Sequence, residues 1–194
     1  FLNKFFPAGF YYKTFMWPKS FWYRVYEPFI RKAAGLGVAS LEKDNERYDH
    51  KYEYCDLLVT GSGPAGLSSA YAAAKNGAKV ILAEDKPRFG GSLLTDNVTI
   101  DNLSGKEWAN KIISELKAMP NVIVKNRSQV FGYYDHNMMV MFEKTGDHLE
   151  KKSKFTPRQR LWYIRAKEVL LSTGSIERQI VFGNNDTPGV FLSA

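Results

Sequence analysis

Residues 55–75 read Cys-Asp-Leu-Leu-Val-Thr-Gly-Ser-Gly-Pro-Ala-Gly-Leu-Ser-Ser-Ala-Tyr-Ala-Ala-Ala-Lys. The short apolar run over 55–60 predicts a strand, the glycines at 61, 63 and 66 a tight turn, and the alanine-rich stretch a helix ending near Asn76-Gly77. In this pattern Gly61 makes the turn, Gly63 lets a pyrophosphate approach the main chain, and Gly66 allows the helix to pack closely on the strand. Pro64 suits a first helical turn, since the amide proton it lacks would have no helical partner. Ala65 and Gly66 then present free N–H groups to an anion at the positive helix end. Ala78–Glu84 predicts a second parallel strand, ending in an acid 18 positions after the last glycine. A carboxylate at Glu84 can accept hydrogen bonds from ribose hydroxyls and repels a 2′-phosphate, so NAD or FAD is expected rather than NADP. Asp85 and Lys86 come next, and Lys86 and Arg88 work against that charge argument. A lone glycine fingerprint is weak; strand, turn, helix, strand and acid in this order are much more specific.

A second glycine loop, Phe89-Gly90-Gly91-Ser92, follows the acid and can lie along a pyrophosphate, with Ser92 donating a hydrogen bond. Downstream, Trp108, Ile112/Ile113 and Leu116 recur at helical spacing over 105–118, which predicts a helix covering a sheet face. Residues 121–125 predict another strand. Residues 129–134, 137–142 and 160–164 predict an antiparallel meander, with a turn at 135–137, a long basic loop over 144–159, and Phe131, Tyr133 and Tyr134 as sheet packing. Lys167–Gly174 predicts a further buried strand, whose small-residue end at Thr173-Gly174 lets main chain approach a dinucleotide. The expected fold is therefore α/β: a Rossmann-like dinucleotide-binding domain with a parallel sheet and an antiparallel β-meander insertion, preceded by an aromatic-rich helical or irregular segment. Residues 1–54 are expected to form that docking segment and its linker, and 55–194 an incomplete dinucleotide-binding domain.

The 194 residues are 44% hydrophobic and 24% charged, which excludes disorder over the whole length. Cys55 is the single cysteine, so an internal disulfide, a Cys-x-x-Cys pair and a cysteine-rich zinc site are excluded, and a reducing cytoplasm fits. His50, His136 and His148 lack the spacing of a helical metal site. The net charge of +7 sits in two blocks. One runs over residues 1–32 (Lys4, Lys13, Lys19, Arg24, Arg31, Lys32 against Glu27) and the other over 144–168. No recognition helix or zinc finger accompanies either block, so they read as solvated or partner-facing surface and no nucleic-acid partner is expected. Thirteen of the 28 Phe, Tyr and Trp residues fall within positions 1–30. Lysines, arginines and prolines interrupt that run far below the ~20 apolar residues of a membrane span. A helix over about 21–34 capped by Ser20 is expected, docked against protein, with an interfacial helix on a membrane surface as the competing reading. Gly35–Gly37 and the polar stretch 42–53 read as an exposed linker, and the start at Phe1 suggests a fragment.

Taken together, Gly61–Gly66, Glu84-Asp85, Phe89-Gly90-Gly91 and Ser172–Arg178 with Asn184–Val190 resemble the two-dinucleotide-domain flavoprotein superfamily of disulfide reductases. The blocks Phe10–Pro18 and Tyr26–Gly37, with Phe131–Asn137, resemble more narrowly the α subunits of heterotetrameric sarcosine oxidases. That resemblance implies oxidative demethylation of sarcosine to glycine, transfer of the one-carbon unit to tetrahydrofolate, and peroxide formation. It implies a tightly held NAD here, amine oxidation at FAD on a β subunit, FMN at the α/β boundary, and γ and δ subunits in addition. Sarcosine and tetrahydrofolate would bind outside this chain. NAD contacts would fall on Ala65 (pyrophosphate), Glu84 and Asp85 (ribose), Lys86, Ser92 and Val130 (adenine, through main chain). No residue reads as catalytic. The alternatives are an FAD-binding subunit of a related amine, opine or proline dehydrogenase, and a non-catalytic assembly module with a structural dinucleotide. The missing Cys-x-x-Cys removes a dithiol reductase.

Overall fold

A computed structural model describes residues 17–151, 153–176, 178, 180–184 and 189–191. The chain divides into two compact units, residues 1–45 and 46–194.

In the first unit a 3₁₀ turn (Lys19–Phe21) and a wide π turn (Trp22–Tyr26) run into helix α1 (Glu27–Ala33). Ser20 lies inside the 3₁₀ turn and caps nothing, which corrects the expected helix start. The regular helix begins only where Pro28 can occupy its first turn without a missing hydrogen bond. None of its residues is buried, and Trp17, Tyr23 and Phe29 are exposed. Arg31 pairs with Glu27 one turn before it. The aromatic residues before Trp17 lie outside the described residues.

The second unit contains β1 (Tyr48–Thr60), α2 (Pro64–Lys75), β2 (Val80–Ala83), a short hairpin of β3 (Thr99–Ile100) and β4 (Leu103–Ser104), α3 (Gly105–Ala118), β5 (Val122–Lys125), β6 (Ser128–Tyr134), β7 (Met138–Lys144) and β8 (Gln159–Leu171). Six strands form one sheet in the order β5-β2-β1-β8-β7-β6. β5, β2, β1 and β8 run parallel, and β8, β7 and β6 antiparallel. The helix–strand alternation over 55–125 thus forms the parallel half, as its periodicity predicts.

Two apolar cores flank the parallel strands. On one side Val59, Val80 and Leu82 meet Leu67 and Ala70 of α2 and Trp108, Ile112 and Leu116 of α3. The second core joins Leu58, Ile81 and Ala83 to Met139, Met141, Trp162 and Ile164. β7 is three places from β2 in the strand order, so these side chains meet only because the sheet curls over on itself. A charged tie spans the same curl: buried Glu143 on β7 accepts from Lys125 on β5 at 2.9 Å and from the indole N–H of Trp162 at 2.6 Å.

Two strand boundaries differ from expectation. β1 starts at Tyr48, inside the stretch read as linker, because its polar residues are satisfied across the sheet. Asp49 takes Arg160 at 2.8 Å, Glu53 takes Lys79 at 2.8 Å, and Tyr52 stacks on Tyr163. β8 is one strand through Leu171 rather than two, and so bridges the parallel and antiparallel halves. Its charges, which mimic a break in the sequence, find partners: Arg165 donates to the carbonyls of Asp135 and His136, and Lys167 pairs with Asp56 at 2.7 Å.

Candidate functional site

The carboxyl ends of β1, β2 and β8 open into a cleft of about 490 Å³, within the range typical of small-ligand sites. Parallel strands end here and the first helix begins here, so backbone N–H groups and the positive helix end converge on one side.

The glycine turn builds that side. Gly61 holds φ at +99°, and an added Cβ would collide with the Ser172 carbonyl. At Gly66 a Cβ would overlap the Gly61 carbonyl oxygen and crowd Ser172 Oγ, which itself donates to the Thr60 and Gly61 carbonyls. Gly66 therefore seats α2 against the end of β1. Gly63 differs: a Cβ there would meet nothing within 4 Å, and the residue lines the cleft. Pro64 follows as the first residue of α2, leaving the amides of Ala65 and Gly66 in the turn that has no intrahelical acceptors.

Opposite stands the acidic end of β2. Glu84 is 6% exposed. Its Oε2 accepts from the Ser62 amide at 2.9 Å and hydroxyl at 2.5 Å, and its Oε1 from the Lys86 amide at 2.9 Å. The carboxylate thus ties the glycine turn to the strand end while keeping lone pairs for a further donor. The Lys86 ammonium lies 3.4 Å from Asp85.

Of the sequence-designated residues, Gly61, Gly63, Pro64, Glu84, Asp85, Lys86, Gly91, Ser92, Val130, Thr173 and Gly174 line this one cleft. Ala65, Gly66 and Gly90 do not. Gly90 sits behind it, its amide donating to Ser62, with Leu94 and Ala109 close by. Thr60, Ala83, Ser128, Gln129 and Ser175 also line the cleft and escaped the sequence reading. Thr60 could have been singled out as the polar residue closing an apolar strand before the first glycine. Ser128 and Gln129 could not, because only the curl of the sheet brings β6 beside β2; the Ser128 amide donates to the Glu84 carbonyl at 2.8 Å.

Elsewhere, burial pushes the Cys55 thiol up to about 12, so it stays protonated at neutral pH. His50 stacks on Tyr163. Among the described residues no cluster of His, Cys, Asp and Glu could hold a metal, and no helix is long and apolar enough to cross a membrane.

Residues 56–145 match the family model described as FAD dependent oxidoreductase. The chain is 47% identical over 192 residues to the sarcosine oxidase α subunit of Rhizobium meliloti (strain 1021), covering 99% of this chain and 20% of that protein. It is 40% identical over 162 residues to the sarcosine oxidase α subunit of Corynebacterium sp. (strain U-96), covering 82% of this chain and 17% of that protein. The chain thus spans about a fifth of the length of these relatives. Among solved structures, an L-proline dehydrogenase from P. horikoshii shares the fold, with a TM-score of 0.55 at 22% identity over 79% of this chain and 28% of that one.

Proposed function

We propose a nucleotide-holding role for this chain, which matches the FAD dependent oxidoreductase family model over residues 56–145 and is similar over nearly its whole length to one stretch of a sarcosine oxidase α subunit. The cleft binds the adenosine diphosphate half of a dinucleotide without a 2′-phosphate. The observation that carries this is the open wall at Gly63: at a helix start facing Glu84, an added Cβ would enter the cleft and meet no protein atom within 4 Å. The pyrophosphate then lies over the amino end of α2 and the ribose at Glu84, beside Asp85. FAD and NAD share this half. The description of the matching family model favours FAD, and NAD is the nucleotide that the sequence resemblance implies.

The bound dinucleotide would supply the electron- or hydride-accepting ring. The chain's own residues bind and orient it: the α2 amides take the phosphates, Glu84 fixes the ribose, and Ser128–Val130 with Thr173–Ser175 flank the base. Amine oxidation is assigned to other parts of the assembly, as the resemblance implies. In this reading the chain serves a cytoplasmic sarcosine oxidase of α, β, γ and δ subunits, with FMN and FAD elsewhere in the assembly, that also uses tetrahydrofolate. The exposed aromatic helix α1 faces protein there.

The test is Gly63→Val in the full-length subunit. The variant should fold with unchanged far-UV circular dichroism and lose stoichiometric cofactor; a folded variant that keeps it overturns the assignment. Extraction followed by absorbance and mass measurement separates FAD from NAD, and recovery of NADP would reverse the role given to Glu84.

A further inference from the structure

We propose that the Thr60 hydroxyl is a recognition group of the cleft that hydrogen-bonds the adenosine half of the bound nucleotide; this rests on the dinucleotide reading above. Thr60 closes β1 and lines the cleft, yet its Oγ1 is buried and has no hydrogen-bond partner among the described residues. Its main chain is fully engaged, since the Thr60 carbonyl accepts from the Ser172 amide at 2.8 Å and the Ser172 hydroxyl at 2.9 Å. The side chain is the part left over.

In the sheet register Thr60 stands between Ala83 on β2 and Leu171 on β8, both with apolar side chains. A buried hydroxyl without a partner destabilises the fold, and valine would fit the same strand position without that cost. The cleft borders Thr60 directly. Rotation about the single Cα–Cβ bond exchanges its methyl and hydroxyl among staggered positions, so a ligand with a polar edge can draw the hydroxyl toward it. Glu84 directly follows Ala83, the register partner of Thr60, which puts the hydroxyl on the ribose and base side rather than at the far ring of the dinucleotide. Adenosine offers both donors and acceptors there, and a hydroxyl serves either.

The experiment uses the full-length subunit stripped of nucleotide and titrated with NAD, FAD and ADP-ribose, wild type beside Thr60→Val and Thr60→Ser. Thr60→Val should bind all three roughly five- to tenfold more weakly, the effect of one lost hydrogen bond. Its unliganded melting temperature should hold or rise by about 2 °C as the unmet hydroxyl disappears. Thr60→Ser, which keeps the hydroxyl, should bind within about twofold of wild type. Equal affinities for wild type and Thr60→Val overturn the proposal and leave the nucleotide site standing. Weakening of NAD and FAD with ADP-ribose unchanged also overturns it, because the contact would then lie on the other half. A wild-type subunit that binds none of the three removes the nucleotide reading and this inference together.

Discussion

Gly63 and Gly66 stand three residues apart in one motif and do different work. Gly66→Ala forces a Cβ into the Gly61 carbonyl. Alanine gains about 1 kcal/mol in helix propensity, but overpacking against backbone costs about 1–3 kcal/mol or more. Backbone cannot step aside as a side chain can, so a net loss of about 1–2 kcal/mol in urea unfolding is expected. Gly63→Ala meets open space at φ −68°, and its stability should stay within about 0.5 kcal/mol of wild type. If the two variants unfold alike, the division between a packing glycine and a ligand-facing one is wrong. Glu84 combines both roles, binding Ser62 within the fold while facing the cleft.

Among the elements, α3 is the most locally determined. Ser104 caps it, accepting from the Glu107 amide, while the Glu107 carboxylate accepts from the Ser104 amide at 3.0 Å. The Ser104 hydroxyl, donating to the Glu107 carboxylate at 2.7 Å, and then the Ser104 amide hold the Glu107 carboxyl below its usual range. Ser104→Ala should lower stability by about 1 kcal/mol. Because α3 covers the parallel strands on the side away from the meander, cofactor content should be unchanged; loss of cofactor with an intact fold would show that α3 reaches the site. β8 is the opposite kind of element. Its carboxyl half pairs with β1 and its amino half with both β1 and β7, so its length is set by partners distant in sequence.

For the molecule as a whole, the charges bound to the sheet set a pH window. Asp49, Glu53 and Asp56 are lowered mainly by hydrogen bonds from Arg160, Lys79 and Lys167 respectively. A carboxyl with a lower pKa in the native state stabilises fully above its unfolded value, about 4, and loses that contribution as the pH falls through the native value. Lys167 is raised by the same contact with Asp56, so its share is complete below about 10.4 and is lost above it. Cys55 adds to the alkaline side: the unfolded thiol ionises near 8.5, while the native one resists to about 12, so stability declines across that interval. Urea midpoints should therefore be level from about pH 5 to 8 and fall on both sides. Asp56→Asn should flatten part of each limb, and a profile unaltered by it would show that the Asp56–Lys167 pair contributes nothing to folding.

The strand–turn–helix at 55–75, the second strand with its acid and α3 were legible in the residues, because their signals are local: periodicity, glycine spacing and capping chemistry act within a few positions. The same holds for the glycine and acidic sides of the cleft. The early start of β1 and the continuity of β8 were not legible, since Asp49, Glu53, Arg165 and Lys167 look like loop residues until cross-strand partners satisfy them. Nor could local pattern bring Ser128 and Gln129 to the cleft or leave Thr60 without a partner. Those depend on the curl that carries β7 over β2 and on the sheet register, and both are decided by contacts between residues far apart in the chain.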